Sequence, residues 1–253
     1  MSAAVDLVRP IAHRGLHNAR LGVVENTESA FKAAIAKGYG IECDLQPASD
    51  FEPMVFHDER LVRLTTASGL VSRHTPSELK RIPMRKTSDR MMRLSEMLEM
   101  VAGAVPLLIE VKSDWARSDD FAVAVAKRLR SYKGPYGIMS FDPNCVQPFR
   151  ALLPHAPRGI VAGGIRSDLT MPRWIRHWNA RKLLSNDIAR PDFINYFVRG
   201  LPAACTVLGC RPEGLPLFTW TVRSMADRAK AARYADAMVF EGFEPEPGVD
   251  YRC

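Results

Sequence analysis

Two acidic residues lie two positions apart in the segment 40–45 (GIECDL). Because side chains on a β-strand alternate between faces, Glu42 and Asp44 are predicted to share one face, whereas Cys43 points the other way and packs against helices. Unpaired carboxylates are costly in a protein interior, and a divalent cation with oxygen ligands would offset that cost. Taken alone, these six residues favour an edge strand with a solvated acidic face. Whether the two acids are instead buried at a cation site depends on residues elsewhere in the chain.

Three other short apolar segments end in titratable residues. They carry His13 with Arg14, then His57, then Glu110 with Lys112. Two histidines can act as general acid and base near neutral pH. Arg14 and Lys112 can bind a phosphate and stabilise the negative charge that develops on it in the transition state. With the two acids of the first segment, Glu110 supplies oxygen ligands suited to Mg²⁺ or Ca²⁺, so the set favours phosphodiester cleavage over acyl or glycosyl transfer. An alternative is that Lys112 simply neutralises Glu110.

These segments belong to a chain in which apolar runs alternate with helical patterns. The alternation predicts a parallel sheet, and eight strand–helix units without a linker predict one closed α/β fold, the (β/α)8 or TIM barrel, as a single domain over residues 1–253. In that fold the carboxyl ends of the strands carry the active site, which is where the titratable residues fall. Strands are predicted at 7–13, 40–45, 53–57, 105–112, 136–141, 158–162, 192–198, 215–222 and 237–240.

Helical patterns separate the predicted strands. One helix opens at residues 26–28, and another, over 93–101, has Ser95 or Asp89 as its expected cap. A helix over 172–184 interleaves Trp174 and Trp178 with basic residues; it is expected to be an outer barrel helix or a partner interface, the alternative being contact with a membrane or a lipid-like substrate. His17 is expected in a surface loop. The remaining helices are predicted near 76–81, 119–132, 144–153, 199–209 and 224–234.

The composition fits a globular protein with an anionic ligand. The 253 residues include 35 Lys and Arg against 28 Asp and Glu, a formal net charge of +7. The basic residues are dispersed, which favours a small anionic molecule and no nucleic acid. Five cysteines without a C-x-x-C pair, no signal peptide and no apolar run of about 20 residues predict a cytoplasmic protein without membrane insertion. No feature of the sequence specifies an oligomeric state.

Seven short motifs follow one another along the chain. They are His13-Arg14-Gly15, Glu25-Asn26-Thr27, Glu42-x-Asp44, His57-Asp58, Glu110-x-Lys112, Ser140-Phe141-Asp142 and Trp220-Thr221-Val222. With these motifs the chain resembles the glycerophosphodiester phosphodiesterases over about residues 11 to 240. The resemblance implies a TIM barrel with a small insertion after the second strand, here residues 46–93.

The resemblance also implies a divalent cation, Mg²⁺ or Ca²⁺, and a role for each matching residue. The implied metal ligands are Glu42, Asp44 and Glu110; the acid–base pair is His13 and His57; the phosphate contacts are Arg14 and Lys112; Glu25 and Asn26 order the site; and Trp220 lines the pocket. Core packing is the alternative for Trp220.

The implied reaction is hydrolysis of a glycerophosphodiester to an alcohol and sn-glycerol 3-phosphate. Either water attacks directly or the glycerol 2-hydroxyl first forms a cyclic phosphate. One alternative is a lysophospholipase D-like barrel acting on acylated substrates, which the aromatic and basic segment 172–182 favours. Another is a barrel that binds phosphodiesters without cleaving them.

Three positions depart from the family pattern. Asp50-Phe51-Glu52 stands where an Asp-Gly turn is usual, Val24 replaces a proline, and Phe240-Glu241 replaces a late Thr-Asp pair. None of these positions belongs to the predicted ligand or acid–base set. They therefore concern the rim of the pocket and the choice of alcohol head group.

Overall fold

Eight parallel strands close into a barrel in the computed structural model, which describes residues 3–113, 119–163, 189–202 and 215–245. The first strand pairs with both the second and the last, which closes the sheet. The predicted (β/α)8 fold is confirmed. Two strands, β3 (Pro53–Val55) and β4 (Met92–Arg93), lie outside the barrel. The barrel consists of β1 (Ile11–Ala12), β2 (Gly40–Pro47), β5 (Leu107–Val111), β6 (Tyr136–Ser140), β7 (Arg158–Ala162), β8 (Phe193–Phe197), β9 (Leu217–Val222) and β10 (Ala237–Phe240).

The chain between β2 and β5 leaves the barrel as an insertion. The end of β2 pairs antiparallel with β3 (Pro53–Val55), which pairs in turn with β4 (Met92–Arg93). An apolar cluster around Met54, Phe56 and Leu79 is buried in this segment and stabilises it, and Val24 of the connection between β1 and the first α-helix packs into the same cluster. The predicted insertion after the second strand is confirmed, while its limits at 46–93 and the single domain over 1–253 stay predictions.

Seven α-helices occur among the described residues. Thr75 caps the second of them through a capping box with Glu78, and Ser224 caps the last by accepting a hydrogen bond from the Asp227 N–H. The helices are α1 (Glu28–Ala36), α2 (Pro76–Arg81), α3 (Leu94–Val101), α4 (Asp119–Leu129), α5 (Pro143–Val146), α6 (Phe149–Leu152) and α7 (Met225–Tyr234).

Two apolar layers lie on the two faces of the barrel sheet. The inner layer fills the barrel and includes Ile11, Leu108 and Phe218. The outer layer lies between the strands and the surrounding helices and includes Cys43, as predicted from the alternation along β2. Alternate residues of each strand point into the inner and the outer layer, and those that point into the barrel have what is called inward parity here. A polar residue of inward parity near the carboxyl end of a strand therefore lies above the inner layer.

The structure differs most clearly from the predicted elements in three places, besides small shifts in strand bounds. The first strand is shorter than predicted, because Leu7 belongs to a 3-10 helix (Ala3–Leu7) and packs against the inner layer. The pattern over 144–153 forms two short helices, since Pro148 lies between them and has no N–H to continue the first. Neither expected residue caps α3. Ser95 lies inside its first turn, and Asp89 Oδ1 accepts a hydrogen bond from Ser29 Oγ at 3.0 Å, in the first turn of α1.

Part of the predicted pattern lies outside the described residues. This applies to the helix over 172–184 with Trp174 and Trp178, and to most of the one over 199–209, whose beginning is a 3-10 helix at Val198–Gly200. Within the described ranges, the structure has no helix with the length and apolar character needed to cross a membrane.

Candidate active site

Three buried acids meet near the carboxyl-terminal end of the barrel. Glu42 and Asp44 share the inward face of β2, and the parallel register places Asp44 opposite Glu110 on β5. One carboxylate oxygen from each of the three lies within 4.8 Å of the others, and all three side chains are buried. Leu108, opposite Glu42, belongs to the inner layer, so the acids stand above the apolar core. The solvated edge strand is excluded, because β2 pairs with both β1 and β5.

The three carboxylates differ in pKa. Burial, reinforced by the charges of Asp44 and Glu110, raises the pKa of Glu42 well above its usual value. Burial also raises the pKa of Glu110, against the opposing charge of Lys112. Burial disfavours the ionised form of Asp44 as well, but Lys112 and Arg14 outweigh it and hold that pKa below its usual range. The basic side chains therefore do not fully compensate the three carboxylates, and a divalent cation would supply the missing positive charge.

Two basic side chains contact these acids. Lys112 follows β5 directly, and its Nζ lies 2.7 Å from Asp44 Oδ1 and also binds Glu110. Arg14 Nε forms an ion pair with Asp44 Oδ2 at 3.2 Å, although the geometry is not that of a hydrogen bond. Burial opposes the charge of Lys112, but Asp44 and Glu110 outweigh it and raise its pKa. Lys112 therefore does more than neutralise Glu110.

Left-handed backbone at two residues brings further donors to the acids. Arg14 and Asn26 both have φ of 56°. In this conformation the Arg14 N–H donates to Glu42 Oε2 at 2.9 Å, and Asn26 Nδ2 donates to Asp44 Oδ2 at 2.9 Å. The Asn26 N–H also donates to the Arg14 carbonyl at 2.9 Å, which holds the two ends of the connection between β1 and α1 together. These bonds fix the orientation of two of the three acids.

His13 follows β1 and pairs with an acid that follows β10. The parallel register sets Ala12 beside Phe240, and the His13 N–H donates to the Phe240 carbonyl at 2.9 Å. The next side chains therefore meet: His13 Nδ1 lies 2.7 Å from Glu241 Oε2. His13 Nε2 lies on the site side, 4.0 Å from Glu42 Oε2. Burial lowers the pKa of His13, against the effect of its hydrogen bond to Glu241.

His57 reaches the site from the insertion. The Phe56 N–H donates to the Asp44 carbonyl at 3.0 Å, and Gln46 Nε2 donates to the His57 carbonyl at 3.0 Å, so this loop is held against β2. His57 Nδ1 lies 2.7 Å from Asp58 Oδ1. Burial lowers the pKa of His57, and the nearby charge of Asp44 opposes that shift.

A series of ion pairs links Asp58 back to the barrel. Arg63 Nε donates to Asp58 Oδ2 at 2.6 Å, and the two Nη atoms of Arg63 bind Glu25 at 2.7 and 2.9 Å. Glu25 also accepts from Arg14 Nη1 at 2.6 Å. Burial opposes ionisation of Glu25, but Arg63 and Arg14 outweigh it and lower its pKa to about 2.

Trp220 lies among aromatic side chains of neighbouring strands. It has the same inward parity on β9 as Phe218 of the inner layer, two residues closer to the carboxyl end. Its ring centroid is 5.5 Å from that of Phe141 and 5.4 Å from that of Phe197, and its Nε1–H donates to the Asn195 carbonyl at 3.1 Å. Trp220 is half-buried, so this position fits both packing against the inner layer and a pocket wall.

His17 lies in a loop, as predicted, but it is not fully at the surface. The residue is half-buried, and its Nε2 is buried without a hydrogen-bond partner. It forms, with His13 and Glu241, a second group whose atoms are close enough to hold a metal ion. Two members of that group already share a hydrogen bond, whereas the three carboxylates offer the oxygen ligands that Mg²⁺ and Ca²⁺ prefer. The carboxylate group is therefore the better candidate for a hard cation.

Comparison with known proteins identifies the family. The model of the glycerophosphoryl diester phosphodiesterase family matches residues 13–240, which is most of the chain. The chain belongs to this family. The resemblance predicted from the seven motifs is thereby confirmed, and so is the prediction that the chain is an enzyme acting on phosphodiesters.

Individual members of the phosphodiesterase family agree with this. The glycerophosphodiester phosphodiesterase of Caldanaerobacter subterraneus subsp. tengcongensis is 27% identical over 227 residues, covering 86% of each chain. A putative glycerophosphodiester phosphodiesterase of Bacillus subtilis is 28% identical over 236 residues, covering 87% of this chain and 88% of the relative. The structure of an Oleispira antarctica phosphodiesterase in complex with the product sn-glycerol-3-phosphate superposes with a TM-score of 0.78 at 21% identity, covers 95% of each chain, and supports the fold.

In this phosphodiesterase the predicted site residues lie at one end of the barrel. Direct contacts join His13, Arg14, Glu25, Asn26, Glu42, Asp44, Glu110 and Lys112. His57 joins them through Asp58 and Arg63, and Trp220 contacts the aromatic group described above.

The sequence analysis gave no role to four charged residues around the phosphodiesterase site. Asp58 stands beside His57 in its motif, and Glu241 has inward parity just after β10, so the sequence could have placed both acids near the site. Arg63 and Arg223 bind these two acids, but their segments show no sequence pattern that specifies a partner, so their positions could not have been predicted.

Proposed function

We propose that this family member is a metal-dependent enzyme that hydrolyses glycerophosphodiesters to an alcohol and sn-glycerol 3-phosphate. The observation that carries the proposal is the convergence of three buried carboxylates, two bases and two histidines on one end of the barrel. That combination suits phosphodiester cleavage. The Oleispira antarctica relative, with its bound product sn-glycerol-3-phosphate, supports the substrate class.

Glu42, Asp44 and Glu110 are proposed to hold the cation. Hard cations such as Mg²⁺ and Ca²⁺ take carboxylate oxygens, and burial has raised the pKa of Glu42 and Glu110 in a way that a cation would reverse. When bound, such a cation supplies Lewis-acid stabilisation of phosphoryl oxygens. The donor set of the site therefore fits the cofactor that the motifs predict.

Arg14 and Lys112 are proposed to bind the substrate phosphate. Charge-assisted hydrogen bonds from a guanidinium or an ammonium strengthen as negative charge develops on the phosphoryl oxygens. Glu25 orders the site by holding Arg14 through a 2.6 Å hydrogen bond, and Asn26 does so by holding Asp44. Trp220 is proposed as the pocket wall for the glycerol or head group, because an aromatic face packs well against carbon atoms.

His13 and His57 are proposed as the acid–base pair. Burial lowers the pKa of each imidazole, so the neutral form needed to accept a proton from the nucleophile is populated near neutral pH. The other member of the pair donates a proton to the departing alkoxide. The nucleophile is either water or the glycerol 2-hydroxyl, and only the second route forms a cyclic phosphate first.

A substrate panel tests this function. Glycerophosphocholine, glycerophosphoethanolamine and glycerophosphoinositol are each incubated with Mg²⁺, with Ca²⁺ or with a chelator, and release of sn-glycerol 3-phosphate is followed. We expect release that the chelator abolishes and that added cation restores. The ratio of kcat/KM values gives the preferred head group, and ³¹P NMR of the same reactions detects any cyclic phosphate.

Variants provide the matched controls for the panel. His13→Ala and His57→Ala are each expected to lower turnover by about 10²- to 10⁴-fold, the usual contribution of a general acid or base. His155→Ala removes an exposed histidine before β7, at the other end of the barrel, and is expected to leave turnover unchanged. Full activity in the chelator or in either site variant would contradict the proposal.

The same assays separate the alternatives. A strong preference for lysophosphatidylcholine over glycerophosphocholine would favour the phosphodiesterase of acylated substrates. Saturable binding of every panel member without turnover would favour the non-catalytic barrel.

A further inference from the structure

Glu241 contacts His13 across the neighbouring ends of β1 and β10. We propose that Glu241 is a positioning residue: it holds the His13 ring with its proton on Nδ1 and leaves Nε2 as the reactive atom of the site. The 2.7 Å distance from Nδ1 to Glu241 Oε2 is that of a charge-assisted hydrogen bond. This inference rests on the proposed function, in which His13 exchanges a proton with substrate.

Backbone hydrogen bonds between neighbouring strands fix the positions of His13 and Glu241. The His13 N–H donates to the Phe240 carbonyl at 2.9 Å, and the Glu241 N–H donates to the Val222 carbonyl at 3.0 Å. Both residues have inward parity, since Ile11 and Val239 two positions earlier belong to the inner layer. The two side chains therefore meet because of strand register, and not because one of them happened to adopt a suitable rotamer.

Glu241 is held as an anion in this position. Arg223 Nη2 donates to the same Oε2 atom at 2.8 Å. Burial opposes ionisation of Glu241, but the hydrogen bonds from His13 and Arg223 outweigh it and hold its pKa well below its usual value. An anionic acceptor cannot donate a hydrogen, so the His13 nitrogen that faces it must carry the proton.

The other ring nitrogen faces the acids of the site. His13 Nε2 lies 4.0 Å from Glu42 Oε2. With the proton on Nδ1, Nε2 presents a lone pair in that direction, which is the arrangement a general base requires. The charged and titratable groups around His13 are Glu42, Asp44, Arg14, His17, Glu241 and Arg223.

NMR spectroscopy reads the proposed tautomer without depending on catalysis. In ¹⁵N-labelled enzyme with Mg²⁺, long-range ¹H–¹⁵N correlations assign the protonated nitrogen of each imidazole, and His13→Gln identifies the signals of His13. We expect the proton on Nδ1 in the wild type and a mixture or the Nε2–H form in Glu241→Met. A wild-type His13 protonated on Nε2 would overturn the proposal, even if every Glu241 variant failed to fold.

Kinetics then separates positioning from structural support. Glu241→Met removes the acceptor at similar length, and we expect kcat to fall by about a hundredfold or more with KM within about threefold, as for loss of an oriented general base. Glu241→Gln keeps a neutral acceptor and is expected to retain the Nδ1–H tautomer and an intermediate kcat. Glu244→Met is the matched control, because Glu244 is an exposed acid three residues later that pairs with Lys37.

The outcomes distinguish this inference from the proposed function. Loss of kcat in Glu241→Met to no greater extent than in Glu244→Met would overturn the positioning role. If the wild type cleaves no glycerophosphodiester, the proposed function fails, while the NMR spectrum still reports whether Glu241 fixes the His13 tautomer.

Discussion

Glu42 is the residue whose replacement best tests the cation site. Because burial raises its pKa above the unfolded value, Glu42 stabilises the metal-free fold at low pH and loses that contribution as the pH rises through and above 4.5. Without a cation, Glu42→Gln is therefore expected to raise Tm at pH 8 by about 2 °C or more. With Mg²⁺ or Ca²⁺ at millimolar concentration, the wild type should gain more Tm than the variant. Thermal melts with and without cation measure both effects.

Glu99→Gln is the control for that experiment, since Glu99 is an exposed acid on α3. It is expected to leave both the Tm and the cation response unchanged. Equal stabilisation of the wild type and Glu42→Gln by the cation would mean that the Glu42 carboxylate is not a ligand.

At the scale of elements, the turn between β2 and β3 holds a local strain. Phe51 has φ of 63°, in the left-handed region that favours glycine, and stands where the family pattern has the glycine of an Asp-Gly turn. Phe51 is 39% exposed, so its ring is not part of the buried core. Phe51→Gly is expected to increase the free energy of unfolding by about 0.5 to 1 kcal/mol. Glycine removes the cost of the left-handed backbone, and the larger conformational entropy of the unfolded glycine variant offsets part of that gain. Urea unfolding measures this difference.

Phe51→Ala separates the backbone from the ring in that turn. Alanine keeps the Cβ that is unfavourable at this φ, so no gain in stability is expected. Equal stabilisation by alanine and glycine would attribute the effect to removal of the exposed ring instead.

At the scale of the whole molecule, Glu25 connects the barrel to the insertion through Arg14 and Arg63. Its pKa is lowered to about 2, so its contribution to stability is complete above pH 4.5 and is lost as the pH falls toward 2. After allowance for screening of the half-exposed Arg63, this contribution is about 2 kcal/mol. Glu25→Gln should therefore be less stable than the wild type at pH 7, and this difference in the free energy of unfolding should shrink to a fraction of its pH 7 value at pH 2.5.

Urea unfolding between pH 7 and pH 2.5 measures that convergence. Glu59→Gln, which changes an exposed acid of the insertion, serves as the control and should follow the wild type throughout. A constant difference between the wild type and Glu25→Gln across this range would show that the ion pairs do not account for the shift. The cytoplasmic location and the absence of nucleic-acid binding stay predictions at this scale.

The sequence by itself determined the barrel and the composition of its site. Short apolar runs alternating with helical patterns predicted eight strand–helix units, because strand and helix periodicities are local properties of the chain. The spacing of Glu42 and Asp44 fixed their common face for the same reason. The titratable residues of four motifs could therefore be assigned to strand ends before their neighbours in space were known.

Only the tertiary structure decided which of these residues touch. The register of β2 with β5 pairs Asp44 with Glu110, and that of β1 with β10 brings Glu241 to His13. Likewise, Asp89 binds Ser29 in α1 and not the helix that follows it. Such contacts join residues from 60 to 228 positions apart, and no local periodicity encodes a partner at that distance, because register and loop packing are set by the whole barrel as it closes.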